Sequence, residues 1–465
     1  MNRPQTSATG LYTSLCASVL FPLHEFVKRH DSTARRQALE QSQWWPAERI
    51  ERERVERLRN FLGAVAATVP YYEQLFRRCG FDPSGVRTLA DLAAVPFLTK
   101  ALIRSNTDAL KARGATGLAR CNTGGSSGEP LIFFISKERS SHDVAAKWRA
   151  TRWWGVDIGD PEIVVWGSPI ELGAQDRVRA WRDRLLRTRL LPAFEMSAAK
   201  VDGFLREIRR MRPRMLFGYP SALAHIARHA QLAGRRMDDL GIRVAFVTSE
   251  YLYDAQRRQI ESVFGCRVAN GYGGRDAGFI AHECPDGGMH ITAEDIVIEI
   301  VDNAGNVLAP GQAGEIVVTH LATREFPFIR YRTGDVAVLD AAGCKCGRGL
   351  PLIREIQGRT TDFVIARDGT VMHGLALVYV LRDMPGLRAF KIVQESLDLT
   401  RVLIVPDGEL PPGSDQHIRD AFRARLGENV DVQVERVAEI PPESSGKFRY
   451  VVSRVDPARQ AVRPT

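Results

Sequence analysis

Residues 215–247 read MLFGYPSALAHIARHAQLAGRRMDDLGIRVAFV. Two short apolar runs, Met215 to Phe217 and Val244 to Val247, flank a helix-like segment from Ser221 to Ala233. A strand, a helix and a second strand in this order are typical of a crossover unit, because parallel strands need a long connection between them. This stretch therefore predicts an α/β fold with a mainly parallel sheet.

The alternation of strands and helices continues on both sides of this unit. Further strands are predicted at residues 131–135 and 162–166, and a further helix at residues 198–210. Residues 1–92 are helical in pattern, whereas strands predicted at residues 290–301, 314–319 and 335–339 indicate a β-rich subdomain. Beyond residue 358 the pattern predicts a small α+β domain, so the expected regions are residues 1–92, 93–358 and 359–465.

The composition is that of a globular chain with two or three domains. Its 465 residues exceed one ordinary core, and 44% hydrophobic with 26% charged residues is an ordinary balance. The formal charge of +9 arises from basic residues that interleave with acidic ones, as from Glu48 to Arg59. No aromatic–basic alternation forms a base-stacking platform, so no nucleic-acid partner is expected. No apolar run approaches the roughly 20 residues that span a bilayer, so no transmembrane segment is expected.

Residues 11–23 are an apolar stretch interrupted by Ser14, Ser18 and Pro22. They lack the basic region and the cleavage site of a secretory signal, and an N-terminal helix packed on the body is expected. An interfacial membrane anchor, assisted by Lys28 and Arg29, is the alternative. Seven scattered cysteines do not resemble a disulfide framework. The expected location is the cytoplasm, with peripheral attachment to a membrane left open.

A glycine-rich loop is the first candidate for ligand binding. It consists of Thr123, Gly124, Gly125, Ser126, Ser127 and Gly128, followed by the apolar strand. Three glycines let the chain turn its amides inward, and three hydroxyls add donors, as a phosphate site requires. It is not a Walker A loop, since Gly-Lys-Ser/Thr is absent. A flexible surface hairpin would have the same composition.

Three further motifs carry candidate functional side chains. Residues 270–278, NGYGGRDAG, contain Gly271, Tyr272, Gly273 and Asp276, and residues 331–335, YRTGD, place Asp335 on a tight turn. Residues 444–449, SSGKFR, present Lys447 beside a glycine in a chain with nine lysines and fifty-five arginines. A compact, flexible ammonium is chemically distinct from a guanidinium, which favours a specific role for this lysine. Taken singly, each motif is equally an ordinary turn.

Cysteines and histidines in two segments form a candidate zinc site. Residues 344–346 read Cys-Lys-Cys, and residues 282–290 contain Cys284, His282 and His290. Three thiolates and one imidazole make a closed structural Zn²⁺ site. We expect Cys284, His290, Cys344 and Cys346 as ligands, with His282 as the alternative fourth ligand. Free thiols in a turn would have the same spacing.

The four motifs, in this order, resemble those of the adenylate-forming superfamily of acyl-CoA synthetases, luciferases and peptide-synthetase adenylation domains. The closest resemblance is to the phenylacetate–CoA ligase family, in its capsular-polysaccharide-biosynthesis branch. Two features of that branch are a helical N-terminal region ending in a motif like residues 95–100, VPFLTK, and an approach to the arginine motif like residues 326–331, FPFIRY. The resemblance covers nearly the whole chain.

The resemblance implies roles for the candidate residues. The loop of residues 123–128 would wrap the β- and γ-phosphates of ATP, and Lys447 would bridge the substrate carboxylate and the α-phosphate. Asp276 would lie near Mg²⁺, in place of the family's usual glutamate. The remaining nucleotide and acyl-site contacts would come from Ser249, Glu250, Gly271, Tyr272 stacking on adenine, Gly273, Asp335 on the ribose hydroxyls, Arg359, and residues 218–221.

The resemblance also implies the activity. Residues 93–358 would be the adenylation core, and residues 359–465 a mobile lid domain. The predicted reaction is ATP-dependent activation of a small carboxylic acid through an acyl-adenylate. Thioester formation with CoA, or with the phosphopantetheine of an acyl-carrier protein, would follow. Transfer to an amine or a sugar is the alternative, and a zinc-stabilised nucleic-acid-binding or scaffold protein is the alternative of another class.

Overall fold

The computed structural model describes residues 10–122, 131–166, 176–193, 196, 198–359, 363–368, 371–373, 375–382, 384–441 and 450–455. The chain divides into two compact units. The first consists of Met1–Thr333 and Ala337–Ile356, and the second of Gly334–Val336 and Gln357–Thr465. The three regions expected from the sequence remain a prediction.

The helices of the first unit begin with a continuous segment in which a π-helical stretch, Cys16–Leu20, joins two short α-helices. Short 3₁₀ turns lie at Pro83–Gly85 and Leu89–Ala94. The α-helices are α1 (Leu11–Leu15), α2 (Phe21–Val27), α3 (Ser32–Ser42), α4 (Ala47–Thr68), α5 (Pro70–Cys79), α6 (Lys100–Ser105), α7 (Lys137–Trp153), α8 (Asp176–Leu185), α9 (Ala198–Met211), α10 (Pro220–Leu232) and α11 (Asp254–Phe264).

Two strands of the first unit form a hairpin, and eleven others form one sheet. The hairpin strands are β1 (Ala119–Asn122) and β2 (Ile132–Ile135). The sheet strands are β3 (Glu162–Trp166), β4 (Thr188–Pro192), β5 (Met215–Gly218), β6 (Val244–Thr248), β7 (Arg267–Gly274), β8 (Gly278–Glu283), β9 (Met289–Ile291), β10 (Ile296–Val301), β11 (Ala313–His320), β12 (Phe328–Asp340) and β13 (Leu352–Arg359). Their order is β10-β11-β12-β13-β9-β8-β7-β6-β5-β3-β4.

The α/β fold predicted from residues 215–247 is confirmed, and these residues are β5, α10 and β6. Strands β3 to β7 run parallel to one another. Alternate residues face opposite layers, because side chains alternate across a strand. Leu216 and Val247 pack under α9, α10 and α11, whereas Phe217 and Phe246 pack against Ala150 of α7. Burial on both faces explains why these strands are apolar throughout.

The β-rich region continues this sheet. Strand β8 pairs antiparallel with β7, and β9 pairs antiparallel with both β8 and β13. The single strand expected at residues 290–301 is two strands, β9 and β10, separated by residues 292–295. Glu294 in this break has its carboxylate 2.6 Å from Nη1 of Arg149, and both side chains are buried. The ion pair holds the break in place.

The second unit is the α+β domain expected at the C-terminus. It contains β14 (Phe363–Ile365), β15 (Val371–His373), α12 (Leu375–Arg382), β16 (Leu387–Gln394), β17 (Leu399–Pro406), α13 (Ser414–Leu426), β18 (Asp431–Arg436) and β19 (Val451–Ser453). A four-stranded sheet has the order β18-β17-β16-β19. The buried side-chain amide of Gln394 bonds both the N–H and the C=O of Ile365, which ties the β14–β15 hairpin to this sheet.

Among the residues that the structure describes, no helix is both long enough and apolar enough to cross a membrane.

Candidate functional site

The turn between β7 and β8 carries Asp276. Gly273 pairs with Phe279 and Gly274 with Gly278. A Cβ on Gly273 would lie 2.1 Å from the carbonyl oxygen of Gly278, and Gly278 itself has φ +88°. The close approach at Gly273 and the positive φ at Gly278 each require glycine, so the glycines of this motif set the shape of the turn.

The Asp276 carboxylate is held in a defined orientation. Its Oδ2 accepts a hydrogen bond of 2.6 Å from the hydroxyl of Tyr331, and its Oδ1 accepts one of 3.0 Å from the N–H of Ala277. Tyr331 is fully buried in β12, whereas Asp276 is partly exposed. Each carboxylate oxygen has further acceptor capacity, so these contacts leave room for a cation ligand.

Arg139 of α7 holds the backbone of the same turn. Its guanidinium donates to the carbonyl oxygens of Arg275 and Asp276 at 3.4 and 3.2 Å. The side chain is 1% exposed, and its Nε lies 3.0 Å from the Asp143 carboxylate one helical turn away. Because a buried guanidinium requires a counter-charge, Asp143 is part of the support for the turn.

The turn also lies beside the start of the glycine-rich loop. Nη1 of Arg275 donates to the carbonyl oxygen of Asn122 at 3.2 Å. Asn122 ends β1 and pairs with Ile132 of β2. The loop of residues 123–128 lies outside the described residues, but both strands that flank it are defined. The Asp276 turn is therefore in contact with the residue that precedes Thr123.

The predicted acyl and adenine motifs meet at one edge of the sheet. Trp166, Tyr219 and Ser249 lie at or directly beyond the carboxyl ends of β3, β5 and β6, the edge where open parallel sheets bind ligands. Glu250 accepts a hydrogen bond of 3.2 Å from the N–H of Ser221 at the start of α10. The rings of Trp166 and Tyr219 stack with centroids 4.4 Å apart. Tyr219 is buried, as a core aromatic residue would be.

The two motifs that characterise the resemblance contact one another. Leu98 forms a parallel bridge with Tyr331. The buried guanidinium of Arg330 donates to the carbonyl oxygens of Ala93 and Val95 at 3.0 and 2.8 Å. The segment of residues 95–100 thereby fixes the part of β12 that presents Tyr331 to Asp276.

Other predicted site residues are accounted for individually. Gly271 and Tyr272 lie in β7, Asp335 is partly buried in β12, and Arg359 is the last residue of β13. Lys447 lies outside the described residues. Sequence reasoning missed Arg139 altogether and quoted Tyr331 without a role. The four-residue spacing of Arg139 and Asp143 is the one sequence signal for that pair, and it is common on solvated helices.

The four expected zinc ligands lie together. One side-chain donor atom from each of Cys284, His290, Cys344 and Cys346 can be chosen so that all four lie within 4.8 Å of one another, whereas His282 is not in this group. The Sγ atoms of Cys284 and Cys344 are 3.6 Å apart, and Sγ of Cys346 is 3.2 Å from Nε2 of His290.

A glycine leaves space for the side chains of this Cys/His cluster. A Cβ on Gly288 would lie 2.6 Å from Sγ of Cys344 and 3.2 Å from Nε2 of His290. A hydrogen bond with Cys284 lowers the pKa of the Cys346 thiol, and the contact with His290 lowers it further. Three thiols and one imidazole, with two of the residues fully buried, fit a structural zinc ion.

Two buried histidines lie behind the Asp276 turn. The rings of His142 and His320 meet edge-on at 4.6 Å, and a Cβ on Gly278 would be 2.9 Å from Nε2 of His320. Burial, and then the charge of Arg139, lower the pKa of His320 well below its usual value. Burial alone would raise the pKa of Asp143, but the charge of Arg139 and the hydrogen bond with His142 outweigh it and lower that pKa.

The chain is similar to known families and proteins. Residues 188–322 match the AMP-binding enzyme family, and residues 364–454 match the CapK C-terminal domain. Protein CapK of Staphylococcus aureus is 23% identical over 411 residues, which cover 86% of this chain and 88% of that protein. Phenylacetate-coenzyme A ligase of Thermus thermophilus is 27% identical over 334 residues, covering 69% and 73%.

This chain belongs to the adenylate-forming superfamily. Within it, the predicted resemblance to the phenylacetate–CoA ligase family, in its CapK-like branch, is confirmed. It is therefore an adenylate-forming ligase, and the alternative of a scaffold protein without catalysis is set aside.

Two solved structures of other enzymes share the fold. The 2-hydroxyisobutyryl-CoA ligase in its postadenylation state superposes with a TM-score of 0.71 at 20% identity, covering 89% of this chain and 91% of that one. The amide bond synthetase McbA from Marinactinospora thermotolerans has a TM-score of 0.50 at 22% identity, covering 71% and 67%. A CoA ligase and an amide synthetase thus both have this fold, so the fold alone does not select the acyl acceptor.

Replacement of Arg139 by methionine tests its role in the turn. It would remove the counter-charge of the buried Asp143 carboxylate and the donor to two backbone carbonyls, and we expect a loss of about 3 kcal/mol of unfolding free energy. All seven tryptophans lie in the first unit, so urea unfolding followed by tryptophan fluorescence reports on this unit.

Arg77→Met is the matched control, since Arg77 is 72% exposed and pairs with Glu73 on the surface of α5. We expect a change below about 1 kcal/mol for it. Equal stabilities of the two variants would contradict the role of Arg139.

His320 predicts a loss of stability in mild acid. Below pH ~6.5 an unfolded chain protonates this histidine, whereas the folded chain does not, so unfolding becomes more favourable as the pH falls. Between pH 6.5 and 5.5 we expect the wild type to lose about 1 kcal/mol more than His320→Asn, in which the amide oxygen replaces Nδ1 as the acceptor for the N–H of Ala322. Urea unfolding at both pH values measures the difference.

His225 is exposed on α10 of the same unit and provides the control. His225→Asn is expected to keep the pH dependence of the wild type. The interpretation is wrong if His320→Asn keeps it too.

Proposed function

We propose that this ligase activates a small carboxylic acid through an acyl-adenylate and passes the acyl group to the thiol of CoA or of a carrier-protein phosphopantetheine. The observation that carries the proposal is the Asp276 turn, which Tyr331 and Arg139 orient and which contacts the residue preceding the glycine-rich loop. A nucleoside triphosphate requires amides and hydroxyls for its phosphates and a carboxylate for its metal ion.

The residues divide the binding of ATP between them. The loop of residues 123–128 holds the β- and γ-phosphates, and Tyr272 provides an aromatic face for adenine. Asp335 accepts hydrogen bonds from the ribose hydroxyls, and Arg359 contacts the nucleotide. Asp276 would hold Mg²⁺, whose charge offsets that of the phosphates. Aspartate is one methylene shorter than glutamate, and the hydrogen bond from Tyr331 fixes the position of the shorter arm.

The first half-reaction joins two anions. An oxygen of the substrate carboxylate attacks the α-phosphorus of ATP, the bond from that phosphorus to the bridging oxygen breaks, and pyrophosphate leaves. Lys447 places its ammonium between the carboxylate and the α-phosphate, which lowers their repulsion as they approach. In the second half-reaction a thiolate attacks the acyl carbonyl carbon, and AMP leaves.

The acid is expected to enter at the carboxyl edge of β3, β5 and β6. Gly218 to Ser221 and Ser249 to Glu250 border this edge, and the hydrogen bond from Ser221 to Glu250 joins them. The partly exposed ring of Trp166, which stacks on the buried ring of Tyr219, gives the edge a flat apolar wall. Such a wall suits a planar or apolar acyl group better than a charged one.

Transfer to an amine or a sugar is the second candidate for the acceptor step. It is motivated by the similarity over most of the chain to Protein CapK and by the match to the CapK C-terminal domain. The adenylation step is the same in both candidates, so the acceptor must be identified separately.

We also propose that Cys284, His290, Cys344 and Cys346 hold a structural zinc ion. The ion would link the turn after β8, which carries Cys284, and His290 of β9 to the segment that precedes β13, beside the pairing of β9 with β13. Four protein ligands leave no open position, so zinc would stabilise the fold and take no part in the reaction.

Isotope exchange between pyrophosphate and ATP tests adenylation directly. We expect exchange with at least one member of a panel of aryl, fatty and amino acids, and a decrease of about 100- to 1,000-fold in Lys447→Ala. Lys391→Ala, which changes another lysine of the second unit, should retain exchange. No exchange with any acid, together with no binding of ATP, would refute the proposal.

The acceptor is identified with the acid that supports exchange. CoA, a phosphopantetheinylated carrier protein and a panel of amines and amino sugars are each added to the adenylating enzyme. Hydroxylamine cleaves a thioester but leaves an amide intact, so it separates transfer to a thiol from transfer to an amine.

Zinc content tests the Cys/His cluster. Purified protein should carry about one zinc ion per chain, and Cys346→Ser should lose it together with several degrees of thermal stability, because metal binding is coupled to folding. Cys79→Ser changes an exposed cysteine outside the cluster and should retain the metal. Wild-type protein without zinc, even after growth and purification with added zinc, would overturn the assignment.

A further inference from the structure

The N-terminal helical segment exposes a continuous apolar stripe. Leu11, Leu15, Val19 and Leu23 recur every fourth residue, and Phe26 and Val27 extend the row. The exposed fractions of Leu11 and Phe26 are 93% and 78%. Residues four apart lie on one side of a helix, so these side chains form a single face along residues 11–27.

The opposite face of the same segment is anchored on the body. The buried hydroxyl of Thr13 donates to the Asp160 carboxylate at 2.9 Å, and Cys16 is fully buried. Phe21 packs edge-on against Trp148 of α7 at 5.1 Å. These contacts fix the orientation of the folded segment, so the apolar stripe faces outward.

Helix α8 extends the stripe. The hydroxyl of Tyr12 donates to the carbonyl oxygen of Leu185 at 2.8 Å, which fixes the end of α8 beside α1. Leu185 is itself exposed, and one helical turn earlier Trp181 is 76% exposed. We call the exposed apolar residues of residues 11–27, together with Trp181 and Leu185, the N-terminal apolar surface.

The two segments that carry this surface have a net positive charge. Residues 10–30 and 176–193 contain eight lysines and arginines against three carboxylates, in a chain whose net charge is +9. Of the three carboxylates, Glu25 is 4% exposed and is bound by Ser32 and two histidines. More than half of the net charge thus comes from these two short segments.

We propose that the N-terminal apolar surface docks the enzyme on an anionic lipid bilayer. Outward-facing leucines and phenylalanine would enter the interface, Trp181 would lie at headgroup level, and Lys28, Arg29 and Arg184 would contact lipid phosphates. A second copy of the chain is a poorer partner for this surface. A two-fold contact would place its cations against the same cations, and so bring two surfaces of like net charge together.

Vesicle flotation of the full-length protein tests the proposal. We expect binding to vesicles of phosphatidylcholine with 30% phosphatidylglycerol, weak binding to pure phosphatidylcholine, and release by high salt. Leu23→Glu/Phe26→Glu changes two exposed side chains and should lower the partition coefficient about tenfold or more. Leu232→Glu is the matched control, because Leu232 is 76% exposed on a different helix of the same unit, and it should bind as the wild type does.

Both variants should keep wild-type pyrophosphate exchange in the absence of vesicles, which shows that they are folded. If the wild type shows no exchange, circular dichroism is used instead. The proposal is overturned if wild-type protein does not float with anionic vesicles. It is equally overturned if Leu23→Glu/Phe26→Glu binds them unchanged. A wild-type dimer in lipid-free solution that this variant abolishes, together with no vesicle binding, would instead assign the surface to a second copy.

Discussion

The first unit depends on the contacts of two buried arginines of α7. Arg139 and Arg149 are each 1% exposed, and each binds a loop between two strands of the sheet. Arg139 holds the carbonyls of the Asp276 turn, and Arg149 pairs with Glu294 in the break between β9 and β10. A buried guanidinium without a partner costs several kcal/mol, so both loops are tied to the position of one helix.

The same helix joins the N-terminal region to the sheet. Arg149 also donates to the carbonyl oxygen of Leu39, and Ser42 donates to the carboxylate of Glu294. The end of α3, α7 and the strand break therefore form one hydrogen-bonded unit. This arrangement gives the N-terminal helices a structural role in the candidate site, since they contact the helix that holds the Asp276 turn.

The candidate site and the Cys/His cluster use glycine in the same way. Gly273 lets the β7–β8 turn close on itself, and Gly288 leaves space for Sγ of Cys344 and the ring of His290. In each case a Cβ would lie within 2.7 Å of another group. Functional side chains are thus placed on short turns whose shape is imposed by strands on both sides, which is how a site gains rigidity.

The sequence by itself determined the fold class and, in the parallel half, strands β3, β5 and β6 and helices α9 and α10. It could do so because burial on both faces makes β5 and β6 continuously apolar. The order of four motifs was also enough to identify the superfamily. Tertiary structure alone decided which of these motifs meet.

Tyr331 and Asp276 are 55 residues apart, and Arg139 is 137 residues from Asp276. No local pattern encodes such contacts, because they arise from strand order and helix packing. The antiparallel pairing that merges the β-rich region into one sheet, and the outward face of residues 11–27, have the same origin. Local sequence set the period of each amphipathic segment, and only packing decided which side of it faces solvent.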